Sequence, residues 1–173
     1  ISVENFKKEN NLNEKEIIAL LPGSREQEVE KMLSLMLSVR DSFKNYQFVI
    51  AGAPSLPKEF YQKFVDDDVH FVSNKTYDLL SVSHAALVTS GTATLETALF
   101  KVPEVVCYKG NWASYQIAKR IITLKYISLV NLIMDEPVVA ELIQGECNSK
   151  RIKEELTTIL NPSYRSELLK KYN

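Results

Sequence analysis

The sequence has few of the residues from which metal sites and disulfide frameworks are built. It contains two cysteines and two histidines among 173 residues. Cys107 and Cys147 have no close spacing, and neither His70 nor His84 has a cysteine or carboxylate at the spacing of a metal ligand. We therefore expect no metal site. Cys107 reads as a small core residue, and the histidines as core or surface residues.

A strong charge of one sign and a long apolar run are missing too. The formal net charge is −1, which gives no reason to expect nucleic acid as a partner. No apolar run reaches the roughly 20 residues of a membrane-spanning helix. Hydrophobic residues make up 45% and charged residues 25%, which is typical of a globular domain with its own core. The chain begins with Ile1 rather than Met, so we expect a piece of a longer protein.

Three common motifs are absent as well. There is no G-x-G-x-x-G, no G-x-x-x-x-G-K-[ST] and no G-x-S-x-G. Their absence argues against a standard dinucleotide fingerprint, a P-loop and a hydrolase nucleophile elbow. A nucleotide site in this chain would need another arrangement of glycines and hydroxyls.

Short apolar runs alternate with helical patterns along most of the chain. The predicted strands are 16–22, 46–52, 69–73, 85–90 and 103–109. The predicted helices are 2–9, 25–43, 57–65, 76–83, one that begins within 90–96, 112–124, 137–144, 148–160 and 163–172. This alternation predicts one α/β domain over 1–173, a Rossmann-like parallel sheet with helices on both faces. Such sheets bind ligands at the carboxyl ends of their strands.

The turn after the first strand lies in "LLPGSREQEVE" (20–30). Gly23 permits a tight turn, and Ser24 is predicted to cap the helix, with Gln27 completing a capping box. Arg25 is unexpected in a first helical turn, where a cation opposes the helix dipole. An anion bound to the free backbone N–H groups would explain it. The alternative is a solvated arginine.

A similar arrangement follows the fourth strand, in "SGTATLE" (90–96). Ser90 and Thr92 provide hydroxyls near a helix start, and Gly91 allows close approach of a phosphate. Glu96 lies one turn further along the same helix face as Thr92. A carboxylate there is well placed to accept hydrogen bonds from a ribose diol. The alternative is a surface glutamate.

Four segments together resemble one known family. "LLPGSREQEVE", "LVTSGTATLETAL", "PEVVCYK" and "YISLVNLIMDEPVVAELIQGEC" follow the order and spacing of lipid-A-disaccharide synthases, which are two-domain glycosyltransferases of the GT-B type. The resemblance covers about residues 10–150. It implies that the chain is the C-terminal, UDP-sugar-binding half of such an enzyme, without the acceptor domain.

The resemblance also implies a reaction and site residues. The family transfers 2,3-diacylglucosamine from its UDP derivative to 2,3-diacylglucosamine 1-phosphate and releases UDP, with no cofactor. By motif, the residues expected to face the diphosphate are Gly23, Ser24, Arg25, Ser90, Gly91 and Thr92, and Glu96 is expected to hold the ribose. Asn131 matches a family asparagine near the reacting sugar, although Val130 replaces the usual proline. Asn131 and Arg25 are the candidate catalytic residues, and Glu141 and Gln144 are possible site residues.

The family also implies partners and a location. A lipid donor and a lipid monosaccharide phosphate acceptor imply a cytoplasmic enzyme that is peripheral at the inner face of the bacterial inner membrane. A homodimer is the candidate assembly. Trp112–Tyr126 is either a basic amphipathic helix at that surface or a helix packed on the sheet. The general base is expected in the missing half. Two alternatives stay open: another UDP-sugar glycosyltransferase or epimerase, and a non-catalytic nucleotide-binding α/β domain.

Overall fold

The computed structural model describes residues 1–89, 91–110 and 126–173, and within them one parallel sheet of six strands. Along the chain the strands are β1 (Glu16–Leu21), β2 (Tyr46–Gly52), β3 (Val69–Ser73), β4 (Ala85–Thr89), β5 (Glu104–Tyr108) and β6 (Ala140–Ile143). In space their order is β3-β2-β1-β4-β5-β6, and every neighbouring pair is parallel. The predicted α/β Rossmann-like fold is therefore confirmed.

Helices connect and cover the strands. In the described residues they are α1 (Val3–Glu9), α2 (Glu26–Leu37), α3 (Lys58–Gln62), α4 (Thr76–Val82), α5 (Thr92–Leu99), α6 (Leu129–Met134), α7 (Ser149–Leu160) and α8 (Pro162–Tyr172). None of these helices is long and apolar enough to cross a bilayer. The predicted helix 112–124 lies outside the described residues.

The two faces of the sheet are buried against different helices. On β1, Ile18 belongs to a buried cluster with Val29 of α2, whereas its neighbour Ile17 belongs to another with Phe6 of α1 and Leu79 of α4. Successive side chains on a strand point to opposite faces, so a strand covered on both sides must be apolar at nearly every position. This explains why the strands read as continuous apolar runs.

A helix boundary and an element type differ from the sequence prediction. The helix predicted over 25–43 ends at Leu37 and is followed by a 3₁₀ turn, Arg40–Ser42. The helix predicted over 137–144 is wrong, because Ala140–Ile143 forms the edge strand β6. A short apolar run fits a buried helix or a strand equally well. Pairing with β5, where Val105 lies opposite Ala140, decides for the strand. Helix α6 was not predicted.

The strand order reverses between β1 and β4. From β1 the chain moves outward to β2 and β3, then returns to the other side of β1 to form β4, β5 and β6. The carboxyl ends of β1 and β4 are therefore neighbours, while the helices that follow them, α2 and α5, pack on opposite faces of the sheet. A crevice opens at such a switch point. The fold thus brings together the two glycine turns that lie about 70 residues apart in the sequence.

Candidate functional site

A cleft of about 470 Å³ lies at this switch point. We call it the glycine cleft. Its lining includes Gly23 and Ser24 after β1, Ala53 and Pro54 after β2, Thr76 at the start of α4, and Gly91, Thr92 and Glu96 at the start of α5. Five residues selected from two separate sequence motifs therefore line one cavity. Ser90, selected from the same motifs, lies outside the described residues.

The backbone at both turns requires glycine. Gly23 has φ +101° and Gly91 has φ +147°, conformations that side chains with a Cβ rarely adopt. A Cβ on Gly23 would also lie 1.7 Å from Oε1 of Glu28, whereas one on Gly91 would meet no atom within 4 Å. Conformation therefore dictates glycine at both positions, since the Glu28 carboxylate that a Cβ on Gly23 would meet is the flexible end of a side chain. Gly91 leaves the first turn of α5 open to a ligand.

The helices that follow β1 to β4 begin without a side-chain cap. By contrast, side chains cap α1, α6, α7 and α8, through Ser2, Ser128, Asn148 and Asn161. An uncapped helix start presents backbone N–H groups to water or to an anion. The beginnings of α2 and α5 therefore offer two sets of donors to the glycine cleft.

The capping box predicted for α2 is wrong. The N-cap is Arg25, with extended backbone angles and no side-chain hydrogen bond, so Ser24 lies one residue before the helix cap. Glu28, rather than Gln27, is then the third helical residue. Arg25 accordingly precedes the first helical turn instead of lying inside it.

Arg25 borders a second cleft, of about 660 Å³, next to the glycine cleft. We call it the lysine cleft, because Lys31 of α2 and Lys109 after β5 line it together with Arg25 and Tyr108. Arg25 is exposed and does not line the glycine cleft. The structure thus places Arg25 at the edge of the lysine cleft, among other basic residues, rather than in the glycine cleft.

Glu28 separates the two clefts and lines both of them. Its carboxylate lies against Gly23 at the start of α2. Burial raises the pKa of Glu28, and the nearby Arg25 cation partly offsets the shift. An anion bound at the Gly23 turn would meet this carboxylate, so Glu28 is a residue that the sequence reasoning missed.

Glu96 has a partner that the sequence did not indicate. The hydroxyl of Tyr77, in α4, donates a hydrogen bond to Oε1 of Glu96 over 3.2 Å. This bond raises the pKa of Tyr77, because it favours the protonated hydroxyl beside the carboxylate. Tyr77 therefore orients the carboxylate predicted to hold the ribose. No local pattern could reveal a contact that depends on how α4 and α5 pack.

Asn131, Glu141 and Gln144 line neither cleft. Asn131 is buried, and its side-chain amide both donates to the Val139 carbonyl (2.9 Å) and accepts from the Val139 N–H (3.0 Å). Glu141 accepts from the backbone N–H of Ser128 at 2.7 Å, at the start of α6. Gln144 has φ +50° at the turn after β6. In this structure Asn131 and Glu141 hold the backbone around α6, and their predicted roles toward the sugar stay predictions.

The described ranges contain no group of three histidine, cysteine or acidic side chains that could hold a metal ion. The chemistry that these ranges display in the two clefts is that of backbone donors, hydroxyls, one arginine, two lysines and three carboxylates. Such a set suits an anionic ligand with a polar, diol-bearing portion.

Solved structures with the same fold include a UDP-GlcNAc 2-epimerase and a glycosyltransferase. The UDP-GlcNAc 2-epimerase of Neisseria meningitidis, solved with UDP-GlcNAc bound, matches with a TM-score of 0.61 at 18% identity, over 96% of this chain and 43% of that one. The glycosyltransferase SnogD of Streptomyces nogalater matches with a TM-score of 0.56 at 17% identity, over 92% of this chain and 39% of that one. The molecule is therefore a Rossmann-like α/β domain of the kind found in GT-B glycosyltransferases and related epimerases.

The sequence narrows this class. The chain belongs to the lipid-A-disaccharide synthase family, because the family's sequence profile, Lipid-A-disaccharide synthetase, matches residues 2–172. The lipid-A-disaccharide synthase of Coxiella burnetii (strain Dugway 5J108-111) is 35% identical over 163 residues, 91% of this chain and 43% of the relative. The enzyme of Syntrophus aciditrophicus (strain SB) is 38% identical over 160 residues, which cover 88% of this chain and 42% of that relative. The chain thus spans less than half the length of these relatives.

Proposed function

We propose that this chain is the donor-binding half of a lipid-A-disaccharide synthase. In this proposal the whole protein transfers 2,3-diacylglucosamine from its UDP derivative to 2,3-diacylglucosamine 1-phosphate. The observation that supports it best is the convergence of the Gly23 and Gly91 turns, two uncapped helix starts and Glu96 on one cleft. Family membership supports the choice of donor and acceptor.

The proposed binding mode follows from the order of groups along the glycine cleft. The diphosphate lies across the starts of α2 and α5, where backbone N–H groups and the Thr92 hydroxyl donate to it. The ribose diol donates to Glu96, which Tyr77 orients. Arg25 approaches the diphosphate from the lysine cleft. UDP is part of the substrate, so the proposal requires no cofactor.

The chemistry depends on charge. As the bond between the anomeric carbon and the diphosphate breaks, negative charge builds on the departing UDP. Donors already fixed around that position stabilise the charge in the transition state more than in the ground state. The Arg25 guanidinium adds a charge-assisted donor. The general base and the acceptor site are assigned to the part of the enzyme that this chain does not contain.

A second candidate is a UDP-sugar epimerase or another UDP-sugar glycosyltransferase, since both classes occur among the solved structures of this fold. All these candidates need the same donor half. The whole protein distinguishes them, because only the proposed enzyme would form a lipid disaccharide. A non-catalytic nucleotide sensor would bind UDP and transfer nothing.

The lipid substrates extend the proposal to location and assembly. A diacylated donor and acceptor would place the whole enzyme at the cytoplasmic face of the inner membrane as a peripheral protein. The proposed assembly is a homodimer. The segment Trp112–Tyr126, the candidate for a membrane contact, lies mostly outside the described residues.

The first test is a titration of the 173-residue chain with UDP, followed by NMR. Because half of the closed site is absent, we expect a Kd of roughly 0.1–1 mM, or about 4–5.5 kcal/mol, and weaker binding of UMP. Shifts should concentrate at residues 23–26 and 90–96. Shifts elsewhere alone would contradict the site. The chain alone should not transfer sugar, whereas the whole protein should, and turnover by the chain alone would refute the division of roles.

A further inference from the structure

Thr89, the last residue of β4, has a hydroxyl without a partner. The residue is 7% exposed, and its Oγ1 forms no hydrogen bond with the described part of the chain. The other two buried threonines nearby are satisfied: Thr94 donates to the Gly91 carbonyl over 2.9 Å, and Thr97 to the Ala93 carbonyl over 2.7 Å. A buried hydroxyl left unpaired costs about 1–3 kcal/mol, so Thr89 needs an explanation.

The position of Thr89 in the fold suggests which partner its hydroxyl has. Among the described residues, Thr89 and Glu28 are the two that line both the glycine cleft and the lysine cleft. Thr89 shares a strand face with Leu87, which packs in the cluster that includes α2. Its side chain therefore projects toward the α2 side of the sheet. It lies between the Gly23 turn and the Gly91 turn, at the carboxyl end of the strand next to β1.

Glu28 does not satisfy this hydroxyl, although it lines the same two clefts. The structure gives no hydrogen bond between the two side chains, and the Glu28 carboxylate lies against Gly23. No other acceptor among the described residues pairs with the Thr89 hydroxyl either. A bound ligand would supply one.

We infer that the Thr89 hydroxyl donates a hydrogen bond to the diphosphate of a bound nucleoside diphosphate. This assignment rests on the proposed function and adds a binding residue to it. Phosphate oxygens accept hydrogen bonds, so they suit a hydroxyl that pairs with no acceptor among the described residues. The ligand would thereby gain a hydrogen bond that a hydroxyl already bonded to the backbone, such as that of Thr97, does not offer.

Two substitutions separate this role from a structural one. Thr89→Val keeps the shape and removes the hydroxyl, and Thr89→Ser keeps the hydroxyl. Thr97→Val is the matched control, because it removes a buried hydroxyl that bonds within α5. Calorimetric titrations with UDP and UMP and thermal unfolding without ligand are measured for each.

The assignment predicts opposite effects on binding and stability. Thr89→Val should weaken UDP binding about tenfold, while its Tm without ligand equals or exceeds that of the wild type. Thr89→Ser should bind UDP within about threefold of the wild type. Thr97→Val should keep its UDP affinity and melt earlier. A loss with UDP but not with UMP would place the bond on the terminal phosphate, and a loss with both on the inner one.

Three results would overturn the assignment, and they differ in what else they refute. If the wild type binds UDP and Thr89→Val binds it equally well, the Thr89 contact is wrong and the proposed function stands. If the wild type does not bind UDP at millimolar concentration, the proposed function fails and the contact with it. A clearly lowered Tm of Thr89→Val without ligand would show a structural role instead.

Discussion

Glu104 should make the stability of this protein fall as the pH rises. It begins β5, is fully buried, and neither carboxyl oxygen has a hydrogen-bond partner within the described ranges. Burial holds the pKa of Glu104 well above its ordinary value of 4.5. The Tyr172 hydroxyl is likewise buried without a partner in the described residues, and burial, with Glu104 nearby, raises the pKa of Tyr172. Burial therefore favours the protonated form of Glu104 in the folded protein.

The magnitude follows from proton linkage. Above about pH 4.5 the unfolded chain has released the Glu104 proton, whereas the folded protein keeps it until its raised pKa. In that window the free energy of unfolding decreases by about 1.4 kcal/mol for each pH unit. Each pH unit between the unfolded and the folded pKa of Glu104 thus corresponds to roughly 3–6 °C in Tm for a domain of this size.

The assay is urea unfolding followed by far-UV circular dichroism from pH 5 to pH 8. Glu104→Gln removes the titration and keeps the shape, so it should match the wild type near pH 5 and exceed it by about 1.4 kcal/mol for each further pH unit below the folded pKa of Glu104. Glu104→Met, of similar volume, should be more stable at both, since it also removes unpaired polar atoms. Neither change should alter UDP binding, because Glu104 lies at the amino end of β5, away from both clefts. If Glu104→Gln and wild type lose stability in parallel as the pH rises, the reasoning is refuted.

Four further changes test the proposed site. Arg25→Ala should weaken UDP binding by about 1.5–3 kcal/mol, or roughly 10- to 150-fold in affinity, without lowering the Tm of the free protein. Calorimetry measures the binding and thermal unfolding measures the Tm. Unchanged UDP affinity would remove Arg25 from the site. Glu96→Ala should weaken the binding of UDP more than that of 2′,3′-dideoxy-UDP, since only UDP offers a diol. An equal loss of affinity for both nucleotides would argue against a ribose contact. Glu28→Gln should increase the affinity for UDP about threefold to tenfold at pH 7.5, because a carboxylate beside the Gly23 turn repels the diphosphate. As the pH falls toward the raised pKa of Glu28, the UDP affinity of the wild type should also rise more steeply than that of Glu28→Gln. The control is Glu26→Gln, which removes an exposed charge from the same helical turn, and weaker UDP binding by Glu28→Gln would reverse the interpretation. Gly91→Ala should lower stability by about 1–3 kcal/mol through backbone strain alone, as no atom obstructs its Cβ, and an unchanged Tm would contradict this.

Local patterns were sufficient to predict most of the fold. Buried parallel strands are apolar at nearly every position, so β1 to β5 were recognisable as runs bounded by turn residues. The prediction failed where two structures satisfy the same pattern. The apolar run 137–144 fits a buried helix as well as a strand, and its pairing with β5 decided for the strand. The capping box failed for a related reason, since Ser24 had the right chemistry but the helix begins after Arg25.

The candidate site divides in the same way. Glycines needed for a backbone conformation, hydroxyls at a helix start and a carboxylate one turn later are local features, so the sequence alone determined Gly23, Gly91, Thr92 and Glu96 as candidates. Which of them meet, and what else surrounds them, was decided by the strand order, because a parallel sheet brings the ends of β1 and β4 together from distant parts of the chain. The Tyr77 bond to Glu96, the position of Glu28 between two clefts and the buried, unpaired hydroxyl of Thr89 depend on that packing. Burial and distance between remote residues are properties of the folded chain, and no local pattern encodes them.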